Sequence, residues 1–464
     1  MGRDFVCALM MALISGALSG CSSDDVRGGG AGQCGAGADP AVSDCTVASP
    51  ATAVGARLDW VLSVLNGAAT NEAEIKQQFD SAFLAQVSAT DLLAVLSPLV
   101  ARAPWKLLAV EDGMTNLSLS AVVRAADGEY FRFIIALDAA PPQRMSGLLL
   151  SPAGDLDPKL ASDEAIDAQL GALAPRVNFL AASVGEDGCS ALHALNPEAN
   201  LALGSTFKLW ILAALGQSIQ TGERAWTDTI AIQDALKSLP SGTLQERPDG
   251  TKLSIRTFAE QMISISDNTA ADHLLATLGR DSVEAMLAAT RHHDPSVDIP
   301  FLSTREMFDL KLLLSQTERD AYVAASVKQK RALLAGYADS LDPRTATGVW
   351  SNPIDIDQIE WFATPADLCN LMMTLKAQAD VPATSEILDV LTLNPGIVAA
   401  PGQFTRIGFK GGSEPGVLNL TWLLQRASDG AWRFLSLGFN DDAAPIDEER
   451  AGYLAAAARA RLAQ

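Results

Sequence analysis

A serine and a lysine three positions apart, Ser205 and Lys208, precede the apolar run Leu209–Leu215. If this segment is helical, both side chains lie on one face, about one turn apart. Burial among apolar neighbours disfavours the charged form of an amine, and a neutral amine can deprotonate a nearby hydroxyl. A helix N-terminus beside the serine also favours developing negative charge. The pair therefore suits a nucleophilic serine with a lysine as its general base, but a serine and a lysine at this spacing occur by chance often enough that the pair alone decides nothing.

Two further polar motifs follow this pair along the chain. Ser266-Asp267-Asn268 lies between two segments with helical patterning, and Lys410-Gly411-Gly412-Ser413 follows the predicted strand Phe404–Phe409. Each motif also has an ordinary explanation, because serine and aspartate cap helices and an edge-strand lysine discourages aggregation. The order and the predicted helical or strand setting of all three motifs together favour a single active site.

In this order the motifs resemble those of the penicillin-recognising serine hydrolases, which include class A β-lactamases, penicillin-binding proteins and related esterases. The resemblance implies a β-lactamase/transpeptidase-like domain of the α+β or α/β class, with an antiparallel sheet flanked by helices. It implies that Ser205 is the nucleophile and Lys208 its general base. It further implies that Ser266 relays a proton to the leaving group, while Lys410 supplies positive potential for a carboxylate and for proton transfer.

The same resemblance implies the groups that bind the substrate. Asn268 would hold the acyl side chain, and Gly412 and Ser413 would border the substrate, with the backbone N–H groups of Ser205 and Ser413 forming the oxyanion hole. One position departs from the family pattern: Gly411 stands where the family usually has threonine or serine, whose hydroxyl helps to bind a substrate carboxylate. Ser413 is a candidate replacement for that hydroxyl.

A class A β-lactamase also needs a glutamate that activates water, with an asparagine four residues later. Glu306 lies at about the right distance from Ser266, but Leu310 occupies the asparagine position. The preceding Ser303 makes a helix capping box the favoured interpretation of Glu306. Other candidates are three acidic residues near the end of an expected insertion within Ala321–Trp361, namely Asp355, Asp357 and Glu360.

A smaller domain is predicted before the hydrolase. Helical patterning over about 52–100 is followed by four strands, Trp105–Val110, Leu117–Arg124, Tyr130–Leu137 and Met145–Leu150. This order indicates a small α+β domain over residues 52–152, and the Pro/Gly/Asp-rich segment 152–158 separates it from a hydrolase domain over 159–464. The layout resembles the two-domain β-lactamase-like proteins of clavulanic-acid gene clusters and related bacterial lipoproteins, which implies a cone-like N-terminal domain and an esterase-like activity.

Details of that domain are predicted as well. A single helix is expected over Glu72–Leu84, and Thr90 is expected to cap the next helix. The Asp127-Gly128 pair between two strands is typical of a hairpin turn.

The N-terminus has the features of an export signal. The apolar run Phe5–Leu18 follows Arg3 and is too short to span a bilayer. It leads into Leu18-Ser19-Gly20-Cys21, which resembles a lipobox and predicts a lipoprotein signal peptide over 1–20 and lipidation of Cys21. A plain secretory signal is the alternative. Residues 21–51 have the composition of a flexible tether. The sequence thus predicts an exported protein anchored by lipid in the cell envelope, which means the outer membrane or periplasm if the host is Gram-negative.

The cysteines and histidines lead to further predictions about disulfides, buried thiols and metal binding. Export permits a disulfide between Cys34 and Cys45 in the tether, whereas Cys189 and Cys369 are predicted to be buried thiols. His292 and His293, in a loop beside a proline, are predicted to be surface residues, and neither a metal nor another cofactor is expected.

The net charge and the composition restrict the classes of partner and of reaction that we expect. The formal charge of −21, from 34 Lys+Arg and 55 Asp+Glu, argues against nucleic acid as a partner. A small-molecule substrate and a membrane contacted through the lipid are expected instead. Three functional hypotheses follow: a serine hydrolase acylated by a β-lactam, ester or amide; a D,D-peptidase of the cell wall; and a binding lipoprotein whose site has lost activity.

Overall fold

The structure is a computed structural model that describes residues 46–186, 188–239, 241–347 and 350–464. The predicted signal peptide, the lipidation residue Cys21 and both tether cysteines, Cys34 and Cys45, lie outside the described residues. Within the described residues, no helix is long and apolar enough to cross a membrane.

The N-terminal domain contains four helices followed by a four-stranded antiparallel sheet in the order β1-β2-β3-β4. The elements are α1 (Ala53–Leu65), α2 (Glu72–Gln78), α3 (Ser81–Gln86), α4 (Ala89–Val100), β1 (Lys106–Val110), β2 (Ser118–Arg124), β3 (Tyr130–Leu137) and β4 (Met145–Pro152). Helices and sheet enclose one apolar core that includes Trp105, Phe131 and Phe133. All four predicted strands are confirmed, because alternating or continuous apolar residues with short turns specify such a meander.

Two local predictions in this domain are wrong. The segment predicted as a single helix, Glu72–Leu84, breaks at Phe79, whose backbone is extended and whose ring lies in the core. Asp80 then starts a new helix by accepting a hydrogen bond from the N–H of Phe83. Ser88, rather than Thr90, caps α4, because its hydroxyl is the one that meets the free N–H groups of the first turn.

The hydrolase domain is built around a five-stranded antiparallel sheet in the order β11-β12-β13-β5-β6. Its strands are β5 (Arg176–Gly185), β6 (Gly188–Leu195), β11 (Phe404–Glu414), β12 (Val417–Arg426) and β13 (Trp432–Asn440), and the short strands β7 (Leu201–Ala202), β8 (Thr229–Ala231), β9 (Lys252–Ser254) and β10 (Phe362–Ala363) form two small pairs. The first and last strands of the hydrolase domain thus pair with each other, β5 with β13.

Helices cover both faces of this sheet. They are α5 (Asp163–Leu173), α6 (Lys208–Gln220), α7 (Ile255–Ser264), α8 (Asn268–Leu278), α9 (Arg280–Ala289), α10 (Thr304–Phe308), α11 (Gln316–Ala324), α12 (Val327–Ser340), α13 (Pro365–Ala379), α14 (Glu386–Thr392) and α15 (Glu448–Arg461). One core contains α6 and most of the other helices, and a second lies between the sheet, α5 and α15. The segment predicted as an insertion forms α12 and part of α11, then returns to Trp361 through a long connection.

The N-terminal domain docks on α15. The Tyr453 hydroxyl accepts a hydrogen bond from the backbone N–H of Tyr130 at 3.2 Å and donates one to Asp157. Arg450 pairs with Glu129 at 2.9 Å, and Arg102, which also pairs with Glu129, reaches Glu449 on the same helix. These partly buried contacts position the two domains against each other, an arrangement about which the sequence carries no signal.

Cys189 and Cys369 form a disulfide, so the prediction of two buried thiols is wrong. Their Cα atoms are 6.5 Å apart although 180 residues separate them in sequence. The bond joins edge strand β6 to α13, and α13 packs against α6. Sequence spacing does not show this proximity, because it arises only when the helical layer covers the sheet edge.

We expect loss of this bond to destabilise the hydrolase domain. Closing a loop of this length removes chain entropy from the unfolded state worth about 5 kcal/mol. Cys369→Ser should therefore lower the free energy of unfolding by up to that amount, measured by urea denaturation. The Cys189→Ser/Cys369→Ser double variant should match the single variant, and Met373→Leu, next to the bond, should change stability little. An unfolding midpoint that is the same with and without reductant would contradict the expectation.

Candidate active site

Ser205 lies in a one-turn 3₁₀ segment, Gly204–Phe207, that leads directly into α6. The Phe207 ring stacks on Trp361 with centroids 3.6 Å apart, which anchors the turn in the core. Ser205 remains half-buried, whereas Lys208 is fully buried. The turn thus presents the serine hydroxyl to solvent and keeps the lysine amine beneath it.

Lys208 lies at the centre of a polar cluster. Its Nζ is 3.2 Å from Ser205 Oγ, 3.1 Å from Ser266 Oγ and 2.6 Å from Asn268 Oδ1, and it also donates to the Ser266 carbonyl at 2.5 Å. Burial lowers the pKa of Lys208 to about 7, although the carboxylates of Asp267 and Asp272 act to raise it. Near neutral pH a substantial fraction of this amine is therefore unprotonated and able to accept the serine proton.

The Ser266-Asp267-Asn268 loop owes its shape to the buried aspartate. One Asp267 oxygen caps α8, and the other accepts the backbone N–H groups of Thr243 and Leu244 at 2.6 and 2.8 Å. Ser266 itself adopts a left-handed backbone conformation with φ +59°, which is uncommon for a residue with a side chain. The structure therefore holds a strained residue between the two lysines of the cluster.

Lys410 approaches Ser266 from the opposite side. Its Nζ donates to Ser266 Oγ at 3.0 Å and to the Gly411 carbonyl. Burial and the nearby Lys208 both lower the pKa of Lys410 well below its usual value, because two ammonium groups so close together repel each other. The Ser266 hydroxyl, with an amine on either side, is placed to pass a proton between them.

The Lys410 motif belongs to β11 itself, since the strand extends to Glu414 and does not end at Phe409 as predicted. Gly412 packs directly against the turn that contains Ser205: a Cβ atom on Gly412 would lie 2.2 Å from the Leu203 carbonyl oxygen and 2.3 Å from Ser205 N. Likewise, a Cβ on Gly204 would lie 2.9 Å from Ser413 N. The backbone N–H groups of Ser205 and Ser413 are thus close neighbours, as an oxyanion hole requires.

We expect Gly412→Ala to lower the rate of serine acylation by about 100-fold or more. The added methyl group would contact backbone atoms on both sides, so the turn and β11 would have to separate, and misplacing one oxyanion-hole donor costs a factor of this size. The measurement is the rate constant for labelling by a fluorophosphonate. Gly171→Ala, at an open position on α5 with no atom within 4 Å of its Cβ, is the matched control and should retain the wild-type rate. Similar rates for both variants would contradict the expectation.

The structure changes the interpretation of two positions in the predicted substrate-binding region, Asn268 and Gly411. The Asn268 amide is already engaged, because its oxygen accepts from Lys208 and its nitrogen donates to the Leu239 carbonyl at 3.1 Å. At Gly411, a Cβ would lie 2.8 Å from Cζ of Phe409, so a threonine or serine there would displace this ring. Ser413 is exposed beside Ser205 and is available for a substrate.

Glu306 is a structural residue. It completes the capping box with Ser303 at the start of α10, and it pairs with Arg280 at 2.6 Å. The favoured interpretation from the sequence is therefore confirmed. Of the other candidates, Asp355 pairs with Arg319 and Asp357 with Arg176.

The third candidate, Glu360, is fully buried and pairs with Lys311 at 3.1 Å. Sequence reasoning missed Lys311, although a lysine among the apolar residues of the segment 307–314 was a usable signal.

The two adjacent histidines lie apart from this site. His292 is buried, so its prediction as a surface residue is wrong, while His293 is exposed. Ligand-type atoms of His292, His293 and Asp367 lie within 4.8 Å of one another. However, His292 Nε2 hydrogen-bonds the Phe362 carbonyl at 2.8 Å, its Nδ1 accepts the Asp294 N–H, and His293 pairs with Asp367. These contacts indicate a structural role for the cluster, which holds the histidine loop against the start of α13.

The chain matches two models of known protein families. A model described as the β-lactamase enzyme family matches residues 175–419, which is more than half of the chain. The chain belongs to this family. A second model, described as the ORF 12 gene product N-terminal domain, matches residues 49–141. The predicted fold, a penicillin-recognising serine hydrolase domain preceded by a separate small domain, is thereby confirmed.

Solved structures of low identity are similar to the hydrolase part. A β-lactamase from Sphaerobacter thermophilus is 20% identical, with 64% of this chain and 94% of that chain covered and a TM-score of 0.46. A β-lactamase from Chitinophaga pinensis is 15% identical over 64% and 97%, with a TM-score of 0.43, and PBP-A is 16% identical over 64% and 95%, with a TM-score of 0.41. Because these TM-scores are below 0.5, the family assignment rests on the family model. A search of curated proteins finds no significant match.

Proposed function

We propose that this protein of the β-lactamase family is an exported serine hydrolase that forms an acyl-enzyme on Ser205 with a β-lactam, ester or amide substrate. The observation that carries the proposal is the 3.2 Å contact between the Lys208 amine and the Ser205 hydroxyl, in a cluster completed by Ser266 and Lys410. The lowered pKa of Lys208 gives this amine the protonation state that a general base needs.

The acylation step follows from these contacts. Lys208 removes the Ser205 proton as the serine oxygen attacks the carbonyl carbon, and the carbonyl oxygen becomes an oxyanion facing the N–H groups of Ser205 and Ser413. When the tetrahedral intermediate collapses, the bond to the leaving nitrogen or oxygen breaks. Ser266 donates its proton to that atom and is reprotonated by Lys208 or Lys410, which lie 3.1 and 3.0 Å away.

Release of the acyl group is expected to be the slow step for β-lactams. Among the acidic candidates for water activation, Glu306, Asp355 and Asp357 are engaged in ion pairs with arginines. We therefore propose esterase-like turnover of activated esters together with a long-lived adduct on penicillins. A D,D-peptidase is the second candidate, because β11 pairs only with β12 within its sheet and its other edge passes Ser205, where an extended peptide could add as a strand.

One set of reactions separates these candidates. The full protein is incubated with a fluorescent penicillin, with p-nitrophenyl acetate and with muropeptides, while intact mass and released products are followed over time. A penicillin adduct that persists for hours, together with nitrophenol release, supports the leading proposal. Release of D-alanine from muropeptides supports the peptidase. Absence of both adduct and product with all three reagents would leave only a binding lipoprotein.

We also propose that the protein is exported and anchored by lipid on Cys21. The Cys189–Cys369 disulfide supports export, because such bonds persist mainly in oxidising compartments. Cys21→Ala should therefore move the protein from the membrane fraction to the soluble fraction, as measured by immunoblotting of fractionated cells. Cys34→Ala, in the same predicted tether, should remain with the membrane. An unchanged membrane fraction for Cys21→Ala would contradict the anchor.

A further inference from the structure

Three ionisable side chains are buried behind the turn that carries Ser205, those of Lys311, Glu360 and Glu414. Lys311 and Glu360 have no exposed side-chain surface, and the Glu414 side chain is 4% exposed. Lys311 Nζ donates to Glu360 Oε1 at 3.1 Å and also to Glu414 Oε1, and it lies 5.7 Å from the centre of the Trp350 ring. Isolated buried charges are costly. Both oxygens of Glu360 and Glu414 Oε1 accept hydrogen bonds, whereas Glu414 Oε2 has no hydrogen-bond partner among the described residues.

Each carboxylate is connected to one side of the oxyanion hole. Glu360 Oε2 accepts the backbone N–H of Gly204, the residue before Ser205, at 3.3 Å, and that of Trp361 at 3.2 Å. Glu414 directly follows Ser413 on β11. Lys311 therefore bridges the two backbone segments whose N–H groups face the developing oxyanion.

The backbone around Lys311 is itself unusual. Lys311 is the central residue of a π-helical turn, Asp309–Leu313, that follows α10. π-Helical turns are rare and frequently occur at functional sites. Here the wide turn delivers the amine of Lys311 to two carboxylates on separate elements.

Two members of the triad have raised pKa values, which reduces its negative charge. Burial and the neighbouring Glu360 raise the pKa of Glu414 well above its usual value. Burial acts to lower the pKa of Lys311, but the carboxyl groups of Glu360 and Glu414 outweigh it and raise this pKa. Both shifts favour the protonated form of the group and so reduce the negative charge of the triad. Negative charge behind the oxyanion hole would oppose the developing oxyanion, so these shifts favour the reaction.

We propose that Lys311, Glu360 and Glu414 are positioning residues that set the separation of the Ser205 and Ser413 N–H groups. This inference rests on the proposed function. Removing the bridge lets the turn and β11 move apart, so stabilisation of the transition state is lost while substrate binding, which depends on other contacts, is retained.

The test measures acylation of the full protein by a fluorescent penicillin, resolved into an apparent binding constant and a maximal rate constant. Lys311→Met is expected to lower the maximal rate constant by about 10- to 100-fold and to change the binding constant less than threefold. The matched control is Arg132→Met, because Arg132 is likewise a buried cation between two carboxylates, Glu111 and Asp155, but lies in the N-terminal domain. The control should keep the wild-type rate constant.

A second pair of variants separates positioning from a loss of folding. Glu360→Gln weakens the acceptor of the Gly204 N–H and should lose at least about tenfold, whereas Glu111→Gln, which weakens an acceptor of Arg132 in the N-terminal domain, should stay within threefold of wild type. If Lys311→Met does not fold, the comparison of these two glutamine variants decides whether the triad positions the oxyanion hole. The proposal is overturned if folded Lys311→Met acylates at the wild-type rate, or if the two glutamine variants behave alike. Lack of acylation in the wild-type protein would instead refute the proposed function.

Discussion

Replacing Ser205 by alanine is expected to lower the turnover of an activated ester, and the acylation rate by penicillin, by at least about 10³-fold. The remaining groups of the site can still bind the substrate and polarise its carbonyl, but the variant lacks the hydroxyl that lies 3.2 Å from the Lys208 amine in the turn before α6 and attacks the carbonyl carbon. The measurements are nitrophenol release and the intact mass after exposure to penicillin. The wild type should gain one acyl group and Ser205→Ala none.

The matched control is Ser218→Ala, which removes a hydroxyl from the same helix, α6, on the surface near Glu223. It should behave as the wild type in both assays. Adduct formation or turnover that persists in Ser205→Ala at a comparable rate would refute a nucleophilic role for this serine, whatever the remaining activity is due to.

Replacing Lys208 by methionine should cost a comparable factor, and the pH profile of the wild type should show why. With a pKa of about 7, Lys208 is mostly protonated at pH 6 and mostly neutral at pH 8. The base is active when neutral, so the acylation rate should rise with pH through an inflection near 7 and then level off. The exposed lysine variant Lys252→Met should retain this profile.

The same group affects stability, and the sign follows from linkage. An unfolded lysine keeps its proton up to about pH 10.4, whereas the folded Lys208 releases it near 7. Between these values the unfolded chain binds more protons, so this group makes the free energy of unfolding rise with pH.

An acylation rate that falls between pH 6 and 8, or a Lys208→Met variant with wild-type activity, would contradict the assignment of Lys208 as base.

Much of the fold was predictable because its information is local. The strands of the N-terminal meander follow from their apolar patterning, and the hairpin turn at Asp127-Gly128 follows from glycine at φ +92°. The local pattern predicted the wrong structure where a contact in the core was more favourable. The backbone of Phe79 is extended rather than helical, which places its ring in the core. The Glu306 capping box was predictable for the same reason as the strands, since all its atoms lie within four residues.

The residues of the site were found from motifs, but their chemistry depends on distance and burial. Composition and spacing show that Ser205, Ser266 and Lys410 occur in the order typical of a family. They do not show that Lys208 loses all contact with water, which is what lowers its pKa. They also did not show the bridge through Lys311, whose partners are 49 and 103 residues away.

The sequence alone thus determined the four strands of the N-terminal sheet, the family motifs and the order in which these motifs occur, because these properties depend on neighbours along the chain. Only the tertiary structure decided the Cys189–Cys369 pairing, the docking of the N-terminal domain on α15 and the buried triad beneath Ser205. Each of these joins elements far apart in sequence. Such contacts form when packing of the helical layers on the sheet removes water from both partners, and no local pattern records which partners will meet.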